Sequence, residues 1–393
     1  MIPRFFGIDI HKHYGIVAAV DAEQQVIMSP TRVAMADLPQ WAADHLTGDD
    51  QVVLEVGTNT WRVVEILNGY AGKVIVANPY QTKLIAQARI KNDKVDAMAL
   101  AHLLAARFIP EVWIPDTSVQ EQRSLAAHRA TLQKQCTQVT NRVHYLLTKH
   151  NLHCPVPSLF SVAGRQWLAS LALPPADQLQ LGHLLRQLEV LEVELDETDR
   201  LIARLASQDP RVPYLMQLTG VNYYTAFSIL AAIGDVERFS SPDQLTAYGG
   251  LVPRQHQSGA HNFYGHITKA GNSQLRWLVI EAARSAVRWD PHWRKIHDRI
   301  ARRRGSQIAT VAVGRRLLAL TWHLLTNQET YRYLQGQTLV TKLQQWAIRI
   351  GRAYLPATSS SAFVRRHLLA LGLHDLVASL TTNKKGQLRV QVA

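Results

Sequence analysis

Two cysteines in 393 residues, Cys136 and Cys154, leave the sequence without a disulfide framework, and they form no CxxC pair of the kind that binds zinc. This usage predicts a reducing cytoplasm. Long apolar runs are missing too. Stretches such as VGRRLLALTWHLL are interrupted by Arg315, Arg316 and His323, short of the roughly 20 uninterrupted apolar residues of a membrane span. The opening MIPRFFGIDI passes straight into a strand pattern, so no signal peptide is expected. Acidic residues are the third shortage: 30 Asp and Glu face 43 Lys and Arg, a formal net charge of +13. Such a surface favours a polyanionic partner, whose counterions are released on binding.

The length exceeds one ordinary domain. The charge is uneven. Residues 211–333 carry sixteen Lys and Arg against seven Asp and Glu, nine charges of the excess. Within them RKIHDRIARRRG is densest and offers Arg294, Arg302, Arg303 and Arg304 as phosphate contacts; a solvated helix face is the plainer reading of the same run.

Residues 5 to about 107 alternate strand and helix patterns. FFGIDI, YGIVAAVDA and QVIMSPTRV read as a three-strand meander. A helix at LPQWAADHL, a strand at DQVVLEVG, a helix at TWRVVEILNGY, a strand at KVIVANP and helices over YQTKLIAQA and DKVDAMALAHLLAARF follow. That is the ribonuclease H order within an α/β domain, expected over residues 1–118. Residues 119–210 read as a helical linker and coiled coil. Leu181, Leu184, Leu188, Leu191, Leu195, Ile202 and Leu205 keep a 3,4 spacing, with Thr198 at one seam position. The spacing suits pairing between subunits, in a homo-oligomer (dimer or tetramer), or a hairpin within one chain. From about residue 211 the pattern is mainly α-helical. LTGVNYYTAFSILAAIGD places a glycine turn before a small-residue helix, similar to a helix-hairpin-helix element whose turn offers N–H groups to phosphate. Residues 336–393 read as an extension of unknown role, with TSSS near Thr358 as a loop and a polar end, NKKGQLRVQVA.

Four acids stand where apolar residues would be cheaper or where spacing groups them. Asp9 ends the apolar run FFGID and Glu55 ends VVLE; an ionised carboxylate at a sheet carries a large desolvation cost unless paired or bound to a cation. Asp93 and Asp96 are spaced i, i+3, on one face of a helix turn. Converging, the four could hold one or two Mg²⁺ ions, the hard-oxygen chemistry that activates phosphodiesters. Taken singly, each has a plainer account: a turn residue for Asp9 and Glu55, an N-capping arrangement for Asp93 and Asp96. Arg89, Lys91 and Lys94 nearby suit a phosphate backbone. His11 and His13, two and four residues past Asp9, could serve as a ligand or proton shuttle, although a carboxylate site does not require them.

Ser258 lies in LTAYGGLVPRQHQSGAHNFYGHITKAGNSQLR, close in sequence to Arg254, His256, His261, His266 and Lys269. A serine attacks phosphorus only when a base, metal or oriented cations help remove its proton. A turn serine capping its own loop is the plainer reading.

These segments together, FGIDIHK, LEVGTNTW, RIKNDKVDAMALA, LTGVNYYTAFSILAAIGD, YGGLVPRQHQSG and GHITKAGNSQLR, resemble the transposases of the insertion-sequence family numbered one hundred and ten, over roughly residues 1–335. That family includes Piv-type DNA invertases and bridge-RNA-guided recombinases. The resemblance implies a RuvC-like domain with Asp9, Glu55, Asp93 and Asp96 as metal ligands, a coiled-coil segment, and a transposase domain over 211–335 with the catalytic serine. That serine maps to Ser258, with Ser273 the second choice and Ser240 or Ser241 behind. It further implies a phosphoserine–DNA intermediate and a structured noncoding bridge RNA that specifies donor and target DNA. Arg254, Lys269 and Arg276, with the arginines of the basic run, are the expected nucleic-acid contacts. A RuvC-like nuclease using metal-activated water and a non-enzymatic nucleic-acid-binding protein are the alternatives.

Overall fold

The alternating apolar residues of the N-terminal strands fold into one sheet with both faces covered. The computed structural model describes residues 3–85, 92–258, 261–383 and 387–391. The chain divides into two units, residues 1–116 and 117–393.

In the first unit, strands β1 (Phe5–Ile10), β2 (Tyr14–Val20) and β3 (Val26–Ala34) form the antiparallel meander. β4 (Gln51–Glu55) lies parallel to β1, and β5 (Lys73–Ala77) parallel to β4. A two-residue β6 (Glu111–Val112) closes the order β3-β2-β1-β4-β5-β6. The period of two sorts the side chains. Phe6, Ile8, Val52 and Leu54 join a core with Leu38 and Trp41 of α1 (Leu38–His45) and Val63 and Leu67 of α2 (Thr60–Leu67). Phe5, Val53 and Ile75 face the other way, onto Leu100, Ala101 and Leu104 of α4 (Asp93–Ala105), which follows the short α3 (Pro79–Ile85).

Small residues let α4 approach the sheet. A Cβ on Gly7 would stand 2.1 Å from the Ala97 carbonyl oxygen and 2.5 Å from the Ala101 nitrogen. Ala18 and Ala97 are both fully buried beside it. At the opposite end of the strands Asp50, 1% exposed, accepts from Arg4 Nε (2.8 Å) and from the Thr47 backbone N–H (2.6 Å). Burial works to raise the Asp50 pKa, but Arg4 and Thr47 outweigh it and hold the carboxyl below its ordinary value.

The second unit is mostly helical. Helices α5 (Thr117–Lys149) and α7 (Pro175–Ala206) run antiparallel, with Lys149 on Asp177 at one end (2.8 Å) and Arg129 on Asp199 at the other (2.9 Å). Here one expectation is corrected. The heptad seam finds its partner inside the chain: Leu181, Leu184 and Leu188 are buried against Val139, Val143 and Leu146 of α5, with α6 (Val162–Ser170) closing the far end through Leu168. Leu191 and Leu195, further along the same seam, are only partly buried.

The remaining elements are α8 (Val212–Met216), α9 (Tyr223–Ile233), α10 (Pro242–Tyr248), the hairpin β7 (Pro253–Ser258) and β8 (His261–Ile267), α11 (Ser273–Trp289), α12 (Pro291–Arg304), α13 (Ser306–Asn327), α14 (Gly336–Ile350), a 3-10 turn at Arg352–Tyr354, α15 (Ser360–Ala370), α16 (His374–Ala378) and the hairpin β9 (Leu380–Thr382) with β10 (Leu388–Val390). Among the described residues α13 is the one helix long and apolar enough to cross a membrane. Val313, Leu317, Leu318 and Leu324 on it are buried in the unit's core, which accounts for its composition.

The segment set apart as an extension, residues 336–393, is integral to this unit. Leu339, Leu343, Trp346, Phe363 and Leu368 share one core with Val212, Leu215 and Phe227. Trp346 Nε1 donates to the Ala203 carbonyl at 2.9 Å. The TSSS stretch is a helix start, because Ser359 caps α15 by accepting from the Ala362 N–H. Lys342 of α14 donates to the carbonyls of Leu218 and Val221, 2.9 Å each, and to that of Met216. Desolvation pulls its pKa down to about 7; three carbonyls that need its protons act in the other direction.

Candidate metal centre and DNA-processing residues

The site in the first unit follows from strand register. Asp9 lies two residues beyond Gly7, and Glu55 two beyond Val53, so both project on the face that α4 covers. Paired Ile8 and Leu54 immediately precede them on adjacent parallel strands, which puts the two acids side by side at the strand ends. α4 begins at that edge, and its first turn carries Asp93 and Asp96. The capping account of these acids does not hold, because Asn92 is the cap, its Oδ1 accepting from the Lys94 N–H at 3.0 Å.

Ligand atoms of Asp9, His11 and Asp93 all lie within 4.8 Å of one another. His11 Nε2 is 3.0 Å from Asp93 Oδ2 and 3.2 Å from Asp9 Oδ2. That nitrogen is removed from solvent and has hydrogen-bond geometry to neither acid. Tyr14, opening β2, donates its hydroxyl to Asp93 Oδ2 at 3.2 Å. The turn between β1 and β2, closed by the His11 N–H on the Tyr14 carbonyl at 2.8 Å, brings the two rings to a 4.7 Å centroid separation. The guanidinium of Arg32 lies 4.0 Å from the centre of the Tyr14 ring.

Burial raises the Asp9 pKa, His11 opposes this, and the charges of Asp93 and Asp96 raise it further. Asp96 is thus close enough to act on Asp9 without joining the three-residue cluster, and Glu55 stands beside it one strand over. Two carboxylates and a desolvated imidazole nitrogen lacking a hydrogen-bond partner form a donor set that fits a divalent cation. Of the basic residues beside the acids, Lys94 is exposed on α4, while Arg89 and Lys91 lie outside the described residues. Sequence reasoning gave His11 a lesser part and missed Tyr14. The HxxY spacing across a tight strand connection was the available signal.

In the second unit Ser258 ends β7, with its Cα opposite that of His261 on β8; the side chains of Ser258, His256 and His261 lie outside what the structure describes. Ser273 is the first residue of α11, exposed, behind the Asn272 cap. Ser241 caps α10 by accepting from the Gln244 N–H, and Ser240 is exposed before it. Arg254 and Lys269 are exposed on and just after the β7–β8 hairpin. Two of the expected phosphate contacts also bond backbone carbonyls. Arg276 donates to the Gly249 carbonyl at 3.0 Å, and Arg294 folds back onto the carbonyls of Val287 (3.2 Å) and Arg288 at the end of α11. Arg302, Arg303 and Arg304 are exposed on the last turn of α12, where they also complement the helix dipole.

Family models match both halves. A DEDD-type transposase model of the IS110 group covers residues 6–152, a span that includes all four acids. The model described as Transposase IS116/IS110/IS902 family covers residues 212–298, which include Ser258 and Ser273. The chain is 30% identical over 346 residues to the transposase for insertion sequence element IS1111A of Coxiella burnetii, covering 84% of this chain and 91% of that protein. It is 24% identical over 349 residues to the pilin gene-inverting protein of Moraxella bovis, covering 84% of this chain and 98% of that one. It is 26% identical over 219 residues to the transposase for element IS1328 of Yersinia enterocolitica, 52% of this chain and 64% of that protein. Two family models in the expected order and a relative matched across most of both chains leave one assignment: the chain belongs to the IS110/IS116 family of transposases, enzymes of DNA cleavage and strand transfer.

Proposed function

We propose that this chain is an insertion-sequence recombinase whose first unit is a ribonuclease H-like (RuvC-like) domain holding Mg²⁺ through Asp9, Glu55, Asp93 and Asp96, and whose nucleophile is Ser258. The observation that carries the proposal is the convergence of Asp9, His11 and Asp93 at the strand ends, around a desolvated nitrogen with no hydrogen-bond partner. The sheet order β3-β2-β1-β4-β5, with β1–β3 antiparallel and β4 and β5 parallel to β1, supports the ribonuclease H-like reading. Bound there, Mg²⁺ supplies charge stabilisation to a phosphodiester.

The chain's own residues do the rest. Asp9 and Asp93 bind through carboxylate oxygens, Tyr14 orients Asp93, and His11 offers its Nε2 between the two acids as a further ligand atom. Attack by the Ser258 hydroxyl on phosphorus forms a phosphoserine ester and breaks one P–O bond to deoxyribose; the departing hydroxyl takes up the proton that the serine loses. Rejoining by another deoxyribose hydroxyl reverses the exchange and restores the serine, so no external energy source is needed. Exposed Arg254, Lys269, Arg302, Arg303 and Arg304 carry the DNA-facing charge. The family resemblance extends the proposal to a noncoding bridge RNA as guide.

The test is to denature the protein after reaction with its element's end DNA and Mg²⁺ and look for covalently attached DNA. A Ser258-linked adduct, absent in EDTA and in Asp9→Asn, is expected. An adduct on Ser273 would overturn the serine assignment. Cleavage without any adduct would favour metal-activated water, and full activity in EDTA would reject the metal site.

A further inference from the structure

The second unit contains a cavity that neither the acids nor the serine hairpin uses. It has a volume of about 770 Å³ and lies between α7, the start of α9, the end of α14 and the 3-10 turn. Five arginines line it, Arg129, Arg200, Arg204, Arg349 and Arg352, against one lining carboxylate, Asp199.

The carboxylates present are already engaged. Asp199 pairs with Arg129 (2.9 Å), and Asp196 serves both Arg200 (2.7 Å) and Arg349. Arg204 and Arg352 have no carboxylate partner among the described residues. The Arg204 Nε is buried without a hydrogen-bond acceptor, as is the Tyr224 hydroxyl. A desolvated guanidinium N–H without an acceptor is costly, and an anion would satisfy it. The N-terminus of α9 adds to the same wall through Asn222, Tyr223 and Tyr224. Asn222 caps the Thr225 N–H (2.8 Å), while the first-turn N–H groups of Tyr223 and Tyr224 have no intrahelical acceptor by their position.

Aromatic surface accompanies the charge. The Arg204 guanidinium lies 3.5 Å from the centre of the Tyr354 ring, and Tyr354 remains 60% exposed. Tyr223 packs on Trp346 at 6.3 Å, and its hydroxyl is pushed up to about 12 by burial first and by the Asp199 charge second, so it stays a neutral hydrogen-bonding group. Cations for a backbone beside an aromatic face for a base are the elements of single-strand recognition, and 770 Å³ is small-ligand scale, too small for a double helix.

We infer that this cavity binds one or two nucleotides of a single nucleic-acid strand, phosphate on Arg204 and Arg352 and base on Tyr354. It gives the helix-hairpin-helix-like segment a phosphate-facing role at the start of α9, and it needs residues 345–354 as well as α7. The inference stands apart from the metal chemistry, and its test is run in EDTA. The full chain is photocrosslinked to two tetranucleotides bearing 5-iodouracil, one ribose and one deoxyribose, and adducts are mapped by mass spectrometry.

Adducts on Tyr354, Tyr223 or Tyr224 are expected. Tyr354→Leu and Arg352→Ala, both at exposed positions, should each weaken tetranucleotide binding roughly tenfold. Stronger labelling by one of the two sugars would identify whether RNA or DNA is the natural strand. Adducts confined to the β7–β8 hairpin or α12, or wild-type affinity in both variants, would overturn the inference, as would inorganic phosphate displacing the probe with no loss in Tyr354→Leu.

Discussion

The two units place their chemistry by different means. In the first, every acid of the candidate site sits at a position set by strand register or by the first turn of a helix. Gly7 and Ala97 then hold that helix against the sheet at backbone distance. In the second, basic and aromatic groups from segments far apart in sequence meet only after the whole helical core has formed. A site built on register tolerates little movement but can be read locally. A site built on packing depends on residues that give no local sign of it.

Four changes would sharpen or break that contrast. The largest effect is expected for Leu188→Asp, which puts an unpaired charge in the α5–α7 seam and should cost about 4 kcal/mol. Denaturant unfolding should show the loss with sedimentation mass unchanged. Smaller species at unaltered stability would return the seam to subunit pairing. Gly7→Val follows, because its side chain would overlap the backbone of α4, costing about 3 kcal/mol and displacing Asp93 and Asp96. Cleavage should disappear even at temperatures where the variant remains folded; normal cleavage would show that register does not hold the acids.

Asp50→Asn should cost about 2 kcal/mol at neutral pH by removing the charge that Arg4 and Thr47 hold. Since the Asp50 pKa lies below its unfolded value of about 3.9, this stabilisation is complete above that pH and lost as pH falls through the folded-state pKa. Acid unfolding of the first unit should therefore lose part of its pH dependence in the variant. Smallest in stability is the combined Arg302→Gln, Arg303→Gln and Arg304→Gln change, below about 1 kcal/mol from the helix-end dipole. Its effect should appear in binding instead: the slope of log affinity against log salt should flatten by roughly 0.9 for each lost contact. An unchanged slope would make them a solvated helix end.

Much of the first unit was legible because alternation and register are local properties. FFGID and VVLE announce acids at strand ends, and a period of two then assigns them a common face. What was not legible is equally local in cause. Asn92 and Asp93 are both competent caps, and only the backbone shows that Asn92 takes the role. β6 is two residues long, too short for any period. In the second unit the leucine spacing showed a seam but not its partner, since α5, a helix of 33 residues, has its own apolar stripe from Ala126 to Leu147 and could meet α7 in either chain. Arg276 and Arg294 looked like free charge, and their attachment to backbone carbonyls depends on tertiary approach.

The ammonium of Lys342, clasping carbonyls between residues 216 and 221, has a consequence for how the protein is made. The first 116 residues make their contacts largely among themselves, an arrangement that favours folding of that unit while synthesis continues. The second unit differs, because the carbonyls at the end of α8 and the Tyr223 ring on α9 are met by a lysine and a tryptophan more than a hundred residues downstream. Until α14 has been made, the apolar helix α9 lacks these partners, and the surface they cover in the native fold stays open to misassociation.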